Sequence, residues 1–477
     1  MSYTNGLDKP SDHFNTVLYT GNGGTQSITG MGFRPDWLWI KDRDATLFHY
    51  LQDVIRGAGV TLFSNATNGD TTYSSSITSF DSDGFTTGSQ SATNGSGKNI
   101  VSFGWKAAGT TPSKTYTVKV VADSGNKYRF DDFGTSAVTL ELSEGGTFRF
   151  DQSDSSNSGH PLRFSTTSDG THGSGSEYTT GVTTSGTPGS SGAYTEITVA
   201  ASAPTLYYYC SVHSGMGGQA NTPTTNSFSN FAGSIQSNIS PNTTAGFSIV
   251  TWTGSGADAT IGHGLSSAPE MYVVKNRSDS ADWRVGQTVA GNTMTGGNGY
   301  YMEWNATKAS TNPGSATTWG STPTAPTSSV FTVGSSNTHN GSSDNMLAYC
   351  FHSVKGYSRI SSYVGNGNSN GTFVYTGFKP AYLMVKRSSG TGNWTVYNNK
   401  SQTINEMDKQ IYYNLSNAEG TSGTKIFDFC ATGFKARGNA TDTNSSGSTY
   451  IYYAVAENPT VTSTGIAALA RWLWNMF

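Results

Sequence analysis

The chain has 477 residues, and its 28 Lys and Arg against 31 Asp and Glu give a formal net charge of −3. Charged residues are only 12% while aromatic residues also reach 12%, which excludes a disordered chain and, without basic runs, argues against nucleic-acid binding. The sequence has no stretch of 18 apolar residues and no apolar leader, so we expect neither membrane insertion nor a secretion signal.

Three segments of the sequence repeat one another. They begin NTVLYTGNGG, SIVTWTGSGA and SSYVGNGNSN, and they end in the apolar runs IVSFGW, MLAYCF and YIYYAVA. In each segment a proline opens an apolar run that reaches a lysine six residues later, at Pro35–Lys41, Pro269–Lys275 and Pro380–Lys386. Period-two alternation with frequent turn residues predicts three antiparallel β-sandwich modules in an all-β chain.

The spacing of the repeats predicts an inserted domain. Lys41 and Lys275 are 234 residues apart, whereas Lys275 and Lys386 are only 111 apart. We therefore divide the chain into module 1 (1–112), an inserted domain (113–223), module 2 (224–354), module 3 (355–459) and a C-terminal segment (460–477). The first part of module 2 is polar and nearly uncharged, which predicts a linker there.

The inserted domain carries the sharpest chemical signal. The stretch YYYCSVHSGMGG places Cys210, His213 and Met216 at a C-x2-H-x2-M spacing directly after a predicted strand. Blue-copper sites combine one Cys and two His with a weak axial Met, so a second histidine is required. His160 precedes a predicted strand about fifty residues earlier and is our candidate, with His172 as a competitor.

This stretch resembles the cupredoxin family, small Greek-key β-sandwiches that bind copper through an upstream His and a C-x2-H-x2-M loop of the amicyanin type. The resemblance covers about 110 residues. It implies a type 1-like copper site with His160 and His213 as imidazole ligands, Cys210 as thiolate and Met216 as axial ligand. Pro161 stands where the family often has Asn. The alternative is a relic site in which the Cys is a buried thiol and the Met fills the core.

Other candidate groups favour structural roles. The three cysteines lie far apart, which indicates no disulfide framework and a reducing site of synthesis; Cys350 and Cys430 are predicted to be buried thiols. Asp81 and Asp83 in FDSDGF are predicted to form a turn, since a calcium site would need further oxygen ligands. No nucleophile elbow is present and we predict no catalytic residues, although paired carboxylates of the glycosidase kind stay open.

The C-terminal segment predicts the one helix of the chain. In IAALARWLWNMF, apolar side chains recur at spacings of three and four on one face, and these are Leu469, Trp472, Leu473 and Met476. We expect this face to dock on the chain or on a partner subunit, the alternative being a packed terminus without other purpose.

The opening GLDKPSDHFNTVLYTGNGG, the strand G-F-x-P-x-W-L-W-I-K and the turn FDSDGFTTGS resemble those of virion proteins of tailed phages of marine bacteria, described as tail-fibre or structural proteins. The resemblance spans residues 3–460. It implies lectin- or jelly-roll-like sandwiches in a non-enzymatic component of the virion exterior that is synthesised in the host cytoplasm.

Three functions follow from these features. We expect first an attachment or decoration protein that forms a homo-oligomer such as a trimer and binds other virion proteins or cell-surface glycan. A copper-binding electron-transfer protein is the alternative, and a polysaccharide-degrading tail spike is the third. Sugar rings stack on exposed aromatic faces. The candidate residues for such stacking are Trp252, Trp283, Trp304, Trp319 and Trp394, and the alternative for each is packing in the core.

Overall fold

The computed structural model describes residues 7, 9–107, 112–290, 299–313 and 318–459. Strands account for 43% of the residues and helices for 4%, which confirms the all-β, sandwich-type fold. The predicted C-terminal helix, with Leu469, Trp472, Leu473 and Met476, lies outside the described residues. Among the described residues, no helix has the length and hydropathy needed to span a bilayer.

Module 1 is a sandwich of two sheets. Its strands are β1 (Phe14–Thr20), β2 (Gln26–Thr29), β3 (Trp37–Asp42), β4 (Tyr50–Asp53), β5 (Val60–Phe63), β6 (Thr71–Thr72), β7 (Ile77–Asp81), β8 (Gly84–Thr87) and β9 (Asn99–Trp105). The large sheet has the order β1-β9-β3-β4-β5-β6 and the small sheet has the order β2-β8-β7. A 3-10 turn at Pro10–Asp12 and the single-turn helix α1 at Ser91–Asn94 complete the module.

The inserted domain is a second kind of sandwich. Its strands are β10 (Ser113–Ala122), β11 (Asn126–Phe130), β12 (Leu140–Glu141), β13 (Thr147–Asp151), β14 (Leu162–Ser165), β15 (Val182–Ser185), β16 (Tyr194–Thr198), β17 (Leu206–Cys210) and β18 (Gly218–Asn221). The two sheets are β11-β10-β13-β16-β15 and β12-β18-β17-β14, and 3-10 turns lie at Ser155–Asn157 and Gly170–Gly173. The pairs β10–β13 and β12–β18 are parallel, so the connections repeatedly cross between the sheets.

Module 2 keeps the plan of module 1 with two more strands at the edge of the large sheet. Its strands are β19 (Phe228–Asn230), β20 (Ser237–Asn242), β21 (Phe247–Thr253), β22 (Ala259–Gly262), β23 (Met271–Asn276), β24 (Arg284–Gln287), β25 (Met302–Glu303), β26 (Val330–Val333) and β27 (Asn345–Phe351). The sheets are β19-β20-β21-β27-β23-β24-β25 and β22-β26, and helix α2 spans Asn337–Asn340.

Module 3 repeats both sheets of module 1. Its strands are β28 (Ser358–Val364), β29 (Phe373–Tyr375), β30 (Phe378–Arg387), β31 (Trp394–Asn398), β32 (Lys409–Tyr412), β33 (Gly420–Thr421), β34 (Phe427–Cys430), β35 (Gly433–Ala436) and β36 (Thr449–Pro459). The orders β28-β36-β30-β31-β32-β33 and β29-β35-β34 match those of module 1 strand for strand.

The segment predicted to be a linker is part of the fold, so that prediction is wrong. β19 and β20 pair with each other, and β20 pairs with β21 of the large sheet. Ser237 is buried, and its hydroxyl donates to the carbonyl of Gly262 at 2.8 Å. Composition suggested a solvated chain, but small polar side chains can be buried when their hydrogen bonds are made within the protein.

The large sheets of the three modules share one central core. Successive side chains of a strand point to opposite faces of its sheet, and both faces are buried here. One face of each of the equivalent strands β3, β23 and β30 enters the common cluster, through Trp37 and Trp39, Met271 and Val273, and Tyr382 and Met384. The intervening side chains enter the interior of their own sandwich, as Leu38, Tyr272 and Leu383 do.

Equivalent hydrogen bonds join the modules into a closed ring. A ring nitrogen at or just before the start of β4, β24 and β31 bonds to a backbone carbonyl of the preceding module, where module 3 counts as preceding module 1. The three bonds are His49 Nε2 to Leu415 O at 2.9 Å, Trp283 Nε1 to Phe63 O at 2.8 Å and Trp394 Nε1 to Glu303 O at 2.8 Å. A second set runs from the backbone N–H groups of Glu419, Asp70 and Ser310 to the carbonyls of Arg43, Arg277 and Ser388. Module 1 therefore contacts module 3, module 2 contacts module 1, and module 3 contacts module 2.

The repeated lysines lie inside this ring. Lys41, Lys275 and Lys386 are fully buried, and their ammonium groups donate to backbone carbonyls. Two of these bonds cross between modules, from Lys275 to Thr67 O at 3.0 Å and from Lys386 to Thr307 O at 3.2 Å. Burial lowers the pKa of all three lysines, that of Lys386 to about 7. Lys275 and Lys386 thus tie adjacent modules together, whereas Lys41 donates to the carbonyls of Asp42 and Ala45 within module 1.

His49 makes the ring sensitive to acid. Burial, with Lys41 nearby, lowers the pKa of His49 to about 3, whereas an unfolded histidine titrates near pH 6.5. Between these values the unfolded chain binds a proton that the folded chain does not, so stability falls as the pH drops through this window. His49→Trp introduces the residue found at this position in modules 2 and 3, and it should remove a slope of about 1.4 kcal/mol per pH unit.

Urea denaturation of wild type and His49→Trp at several pH values between 6.5 and 4 measures this effect. The reciprocal variant Trp283→His is the matched control and should gain the same acid sensitivity. Parallel curves of unfolding free energy against pH for wild type and His49→Trp would contradict the assignment.

Candidate metal centre

Strand pairing brings His160 beside Cys210. Cys210 is the last residue of β17 and pairs with Leu162 at the start of β14, and His160 lies two residues before that partner. The thiol is fully buried, and its Sγ lies 3.9 Å from Nδ1 of His160. The second histidine predicted from the sequence is therefore at the same end of the sandwich as the cysteine.

His213 approaches the thiol from the following loop. Its Nδ1 lies 3.8 Å from Cys210 Sγ, and its ring centroid lies 4.6 Å from that of His160. The three ligand atoms all lie within 4.8 Å of one another, and this is the one such group of His, Cys, Asp or Glu found in the part of the chain that the structure describes. The ring of His213 is exposed, so the group lies at the surface end of the domain.

The donor distances fit a transition-metal ion. A metal–thiolate bond of about 2.3 Å and a metal–imidazole bond of about 2.1 Å would span the observed sulfur–nitrogen distances at an angle of about 120°, given that these distances are 3.8 and 3.9 Å. That angle is the one expected within a trigonal plane of two imidazoles and one thiolate. The side chains present therefore fit a His2Cys plane.

Met216 lies on the inner side of the same loop. It is 1% exposed and belongs to the same apolar cluster as Cys210, and its carbonyl accepts a hydrogen bond from the backbone N–H of Tyr128 at 3.0 Å. The competing candidate, His172, is outside the group. Its Nε2 bonds to the carbonyl of Cys210 at 3.0 Å, so it holds the backbone at the end of β17.

Two residues that the sequence analysis did not identify hold His160 in place. Gln152 Nε2 and the Tyr128 hydroxyl both donate to the carbonyl of His160, at 2.8 and 2.9 Å. Gln152 is 1% exposed, and its Oε1 accepts from the N–H of Leu162 at 3.1 Å. No spacing rule signals these contacts, because each is made to a backbone group on a distant strand.

The electrostatics of the group favour neutral imidazole at His160. Burial lowers the pKa of His160, and the neighbouring His213 ring lowers it further. Neutral imidazole is the form that binds metal ions. His160 is therefore prepared to act as a ligand without a prior loss of a proton at neutral pH.

The remaining candidates have structural positions. Cys350 is a buried free thiol, but Cys430 is only partly buried, at the end of β34, so the prediction of a buried thiol there is wrong. Asp83 accepts from the backbone N–H groups of Gly30 and Gly32 at 3.1 and 2.7 Å, which is a turn-stabilising role. The tryptophans considered for sugar stacking are all buried, with at most 5% exposed: Trp252, Trp283, Trp304, Trp319 and Trp394.

Gln152→Leu tests whether the backbone at His160 depends on the side-chain amide. The substitution leaves the buried Leu162 N–H without its acceptor and removes one donor from the His160 carbonyl, so the unfolding free energy should fall by about 1–3 kcal/mol. Chemical denaturation measures the change. Gln219→Leu on β18 is the control, because that half-buried amide donates to the Asn221 side chain, and an equal loss in both variants would contradict the role of Gln152.

Comparison with protein families identifies the three modules together with the first two strands, β10 and β11, of the inserted domain. A family described as "Domain of unknown function (DUF7483)" matches residues 9–134 and 219–459, which together make up more than half of the chain. The unmatched residues 135–218 contain His160, Cys210, His213 and Met216. No curated protein and no solved structure matches the chain. The chain belongs to the DUF7483 family and carries its candidate metal centre in a segment that the family match leaves out.

Proposed function

We propose that the inserted domain binds one copper ion, with His160, Cys210 and His213 in a plane around the ion and Met216 as the axial ligand. The observation that carries this proposal is the convergence of two imidazole nitrogens on one buried thiol, at 3.9 and 3.8 Å. A His2Cys set with a weak thioether is the donor set of blue-copper sites, and sulfur ligands favour copper over hard cations.

The surroundings of the group support a redox role for the copper ion. When bound, copper supplies a reversible one-electron change. The protein buries Cys210 and holds the backbone of His160 through Tyr128 and Gln152, so these two side chains would be held in position around a bound ion. The exposed ring of His213 offers a short path to an external electron donor or acceptor.

Loading the purified protein with Cu(II) tests the copper proposal. We expect one ion per chain and an intense visible absorption band from charge transfer between thiolate and copper. Cys210→Ser should abolish the band and His160→Gln should weaken or shift it. Cys430→Ser is the matched control and should retain the band, because this thiol lies in module 3, away from the His160–Cys210–His213 group.

Two outcomes would refute the copper proposal. One is wild-type protein that takes up no stoichiometric copper or shows no thiolate band. The other is a site that holds zinc, which also accepts Cys and His ligands, so tightly that excess copper does not displace it.

A second proposed function concerns the three modules. We infer that they form a non-enzymatic appendage on the exterior of a virus particle, where they attach to host-cell glycan or decorate the surface. The closed ring around one core supports this role, because it gives a rigid β-rich body that suits a protein exposed to mechanical force on the outside of a particle. The repeated strand and turn motifs, which resemble those of phage structural proteins, support it as well. The ring closes within one chain, so a homotrimer would use other surfaces.

Immunogold labelling of purified particles tests the appendage proposal. Antibodies against the protein should label the particle exterior, and incubation of the protein with envelope polysaccharide should release no reducing ends. Absence of the protein from particles would overturn the location, and released reducing ends would favour the tail-spike function instead.

A further inference from the structure

A cleft of about 540 Å³ opens where three parts of the chain meet. Module 1 contributes Ile55, the inserted domain contributes Glu141 and Pro223, and module 2 contributes its edge strands. The cleft lies among β12, β20 and β21, away from the His160–Cys210 group at the other end of the inserted domain's β17. Its volume falls in the range of about 300–1,000 Å³ that is typical of small-molecule sites.

One wall of the cleft is a ladder of hydroxyl and amide groups. Asn238 on β20 lies opposite Thr251 on β21, and Thr253 lies opposite Asn345 on β27. Neighbouring side chains on one face of a sheet lie within reach of a common ligand. Within the described ranges, none of these four side chains has a hydrogen-bond partner in the protein. They therefore present unused donors and acceptors to whatever occupies the cleft.

Two further polar side chains of the lining are fixed in position. Gln236 donates from Nε2 to Thr139 O at 2.7 Å and to Ser229 Oγ at 3.0 Å, which leaves its Oε1 to accept. Glu141 accepts from Asn221 through Oε1 at 2.7 Å, which leaves its second oxygen to accept. Both side chains are thus oriented before a ligand arrives, and such pre-organisation reduces the entropic cost of binding.

The charge of the cleft excludes the common ionic ligands. Arg277 is the cationic side chain among the residues that line the cleft, and it is paired with Asp70 at 2.7 Å. The lining therefore offers no unpaired positive charge that could bind a phosphate or sulfate. A single carboxylate, that of Glu141, is too few hard ligands for a divalent cation, which takes six or more oxygens. The apolar surface of Ile55 and Pro223 beside the polar walls suits a ligand that carries both C–H and O–H groups.

We propose that this cleft binds a short neutral oligosaccharide. Amide and hydroxyl pairs can each donate to and accept from sugar hydroxyls, and the apolar patches contact the C–H face of the rings. A saccharide would be the ligand through which the protein attaches to host-cell glycan, so the biological meaning of this cleft rests on the attachment role proposed above. Saccharide binding there is independent of copper. Trp252 also lines the cleft but is only 5% exposed, so the polar walls rather than an open aromatic platform would supply most of the contacts.

The proposal can be tested on the full chain by saturation-transfer NMR and calorimetry. The probes are neutral di- and trisaccharides of glucose, galactose, mannose and N-acetylglucosamine. At least one probe should bind saturably. Asn238→Leu and Thr253→Leu should each weaken binding by about tenfold or more, since each loses hydrogen bonds worth about 1.4 kcal/mol. Thr20→Leu is the matched control, because Thr20 holds in module 1 the position of Thr253 and pairs with Asn99 as Thr253 pairs with Asn345.

The outcomes separate this inference from the functions proposed above. If no probe binds, or if binding survives both cleft substitutions, the saccharide cleft is wrong, whatever the particle labelling shows. If the particles carry no label but the cleft binds a probe, the attachment role is wrong and the cleft stands. The cleft variants should keep the far-UV circular dichroism spectrum and the urea-unfolding midpoint of wild type, and a loss of either would show that the substitutions unfold module 2 and would contradict a local role in binding.

Discussion

The central aromatic core is the constraint on which the whole architecture depends. It makes each large sheet bury both faces, and it contains an aromatic contact across every boundary of the ring. Trp39 stacks on Tyr413 at 3.4 Å, Trp37 stacks on Tyr349 at 4.4 Å, and Phe351 packs on Tyr453 at 5.2 Å between ring centroids. Such pairs contribute about 0.5–1.5 kcal/mol each beyond the area they bury. A chain with few charges can therefore fold stably, because three thin sandwiches share one large core.

Buried polar groups give that apolar core a fixed register. Asp53 and Arg56 form an ion pair with no exposed surface at 2.6 Å, and the Tyr349 hydroxyl of module 2 donates to Asp53 at 2.9 Å. Aromatic packing alone would tolerate small rotations between modules, whereas a buried charge must keep its partners. Lys275 acts in the same way at this boundary through Thr67 O, and Lys386 does so between modules 3 and 2 through Thr307 O. Burial of apolar side chains thus stabilises the ring, and a few buried hydrogen bonds fix how the modules are oriented relative to one another.

The sequence allowed prediction of features that depend on local pattern. The repeated proline and lysine mark the corresponding strands β3, β23 and β30, and the C-x2-H-x2-M loop marks the candidate metal centre, because these signals lie within one strand and its turn. Features that depend on contacts between distant strands were not predictable in this way. The polar stretch before β21 was expected to be a linker because composition cannot show that Ser237 has a buried partner, and Gln152 gave no sign that it would hold the backbone of His160.

The position of the insertion explains how a domain with a candidate metal centre can be accommodated without opening the ring. The bonds that join modules 1 and 2, such as Trp283 to Phe63, are made by residues within the DUF7483 match, so they do not depend on residues 135–218. The inserted domain instead joins its core to the interior of module 2, and the Tyr116 hydroxyl donates to Ser229 O at 2.8 Å. This attachment fixes the direction of the metal centre relative to the ring. The polar cleft lies at this junction, so the addition of the domain creates one wall of that cleft while the ring supplies the other.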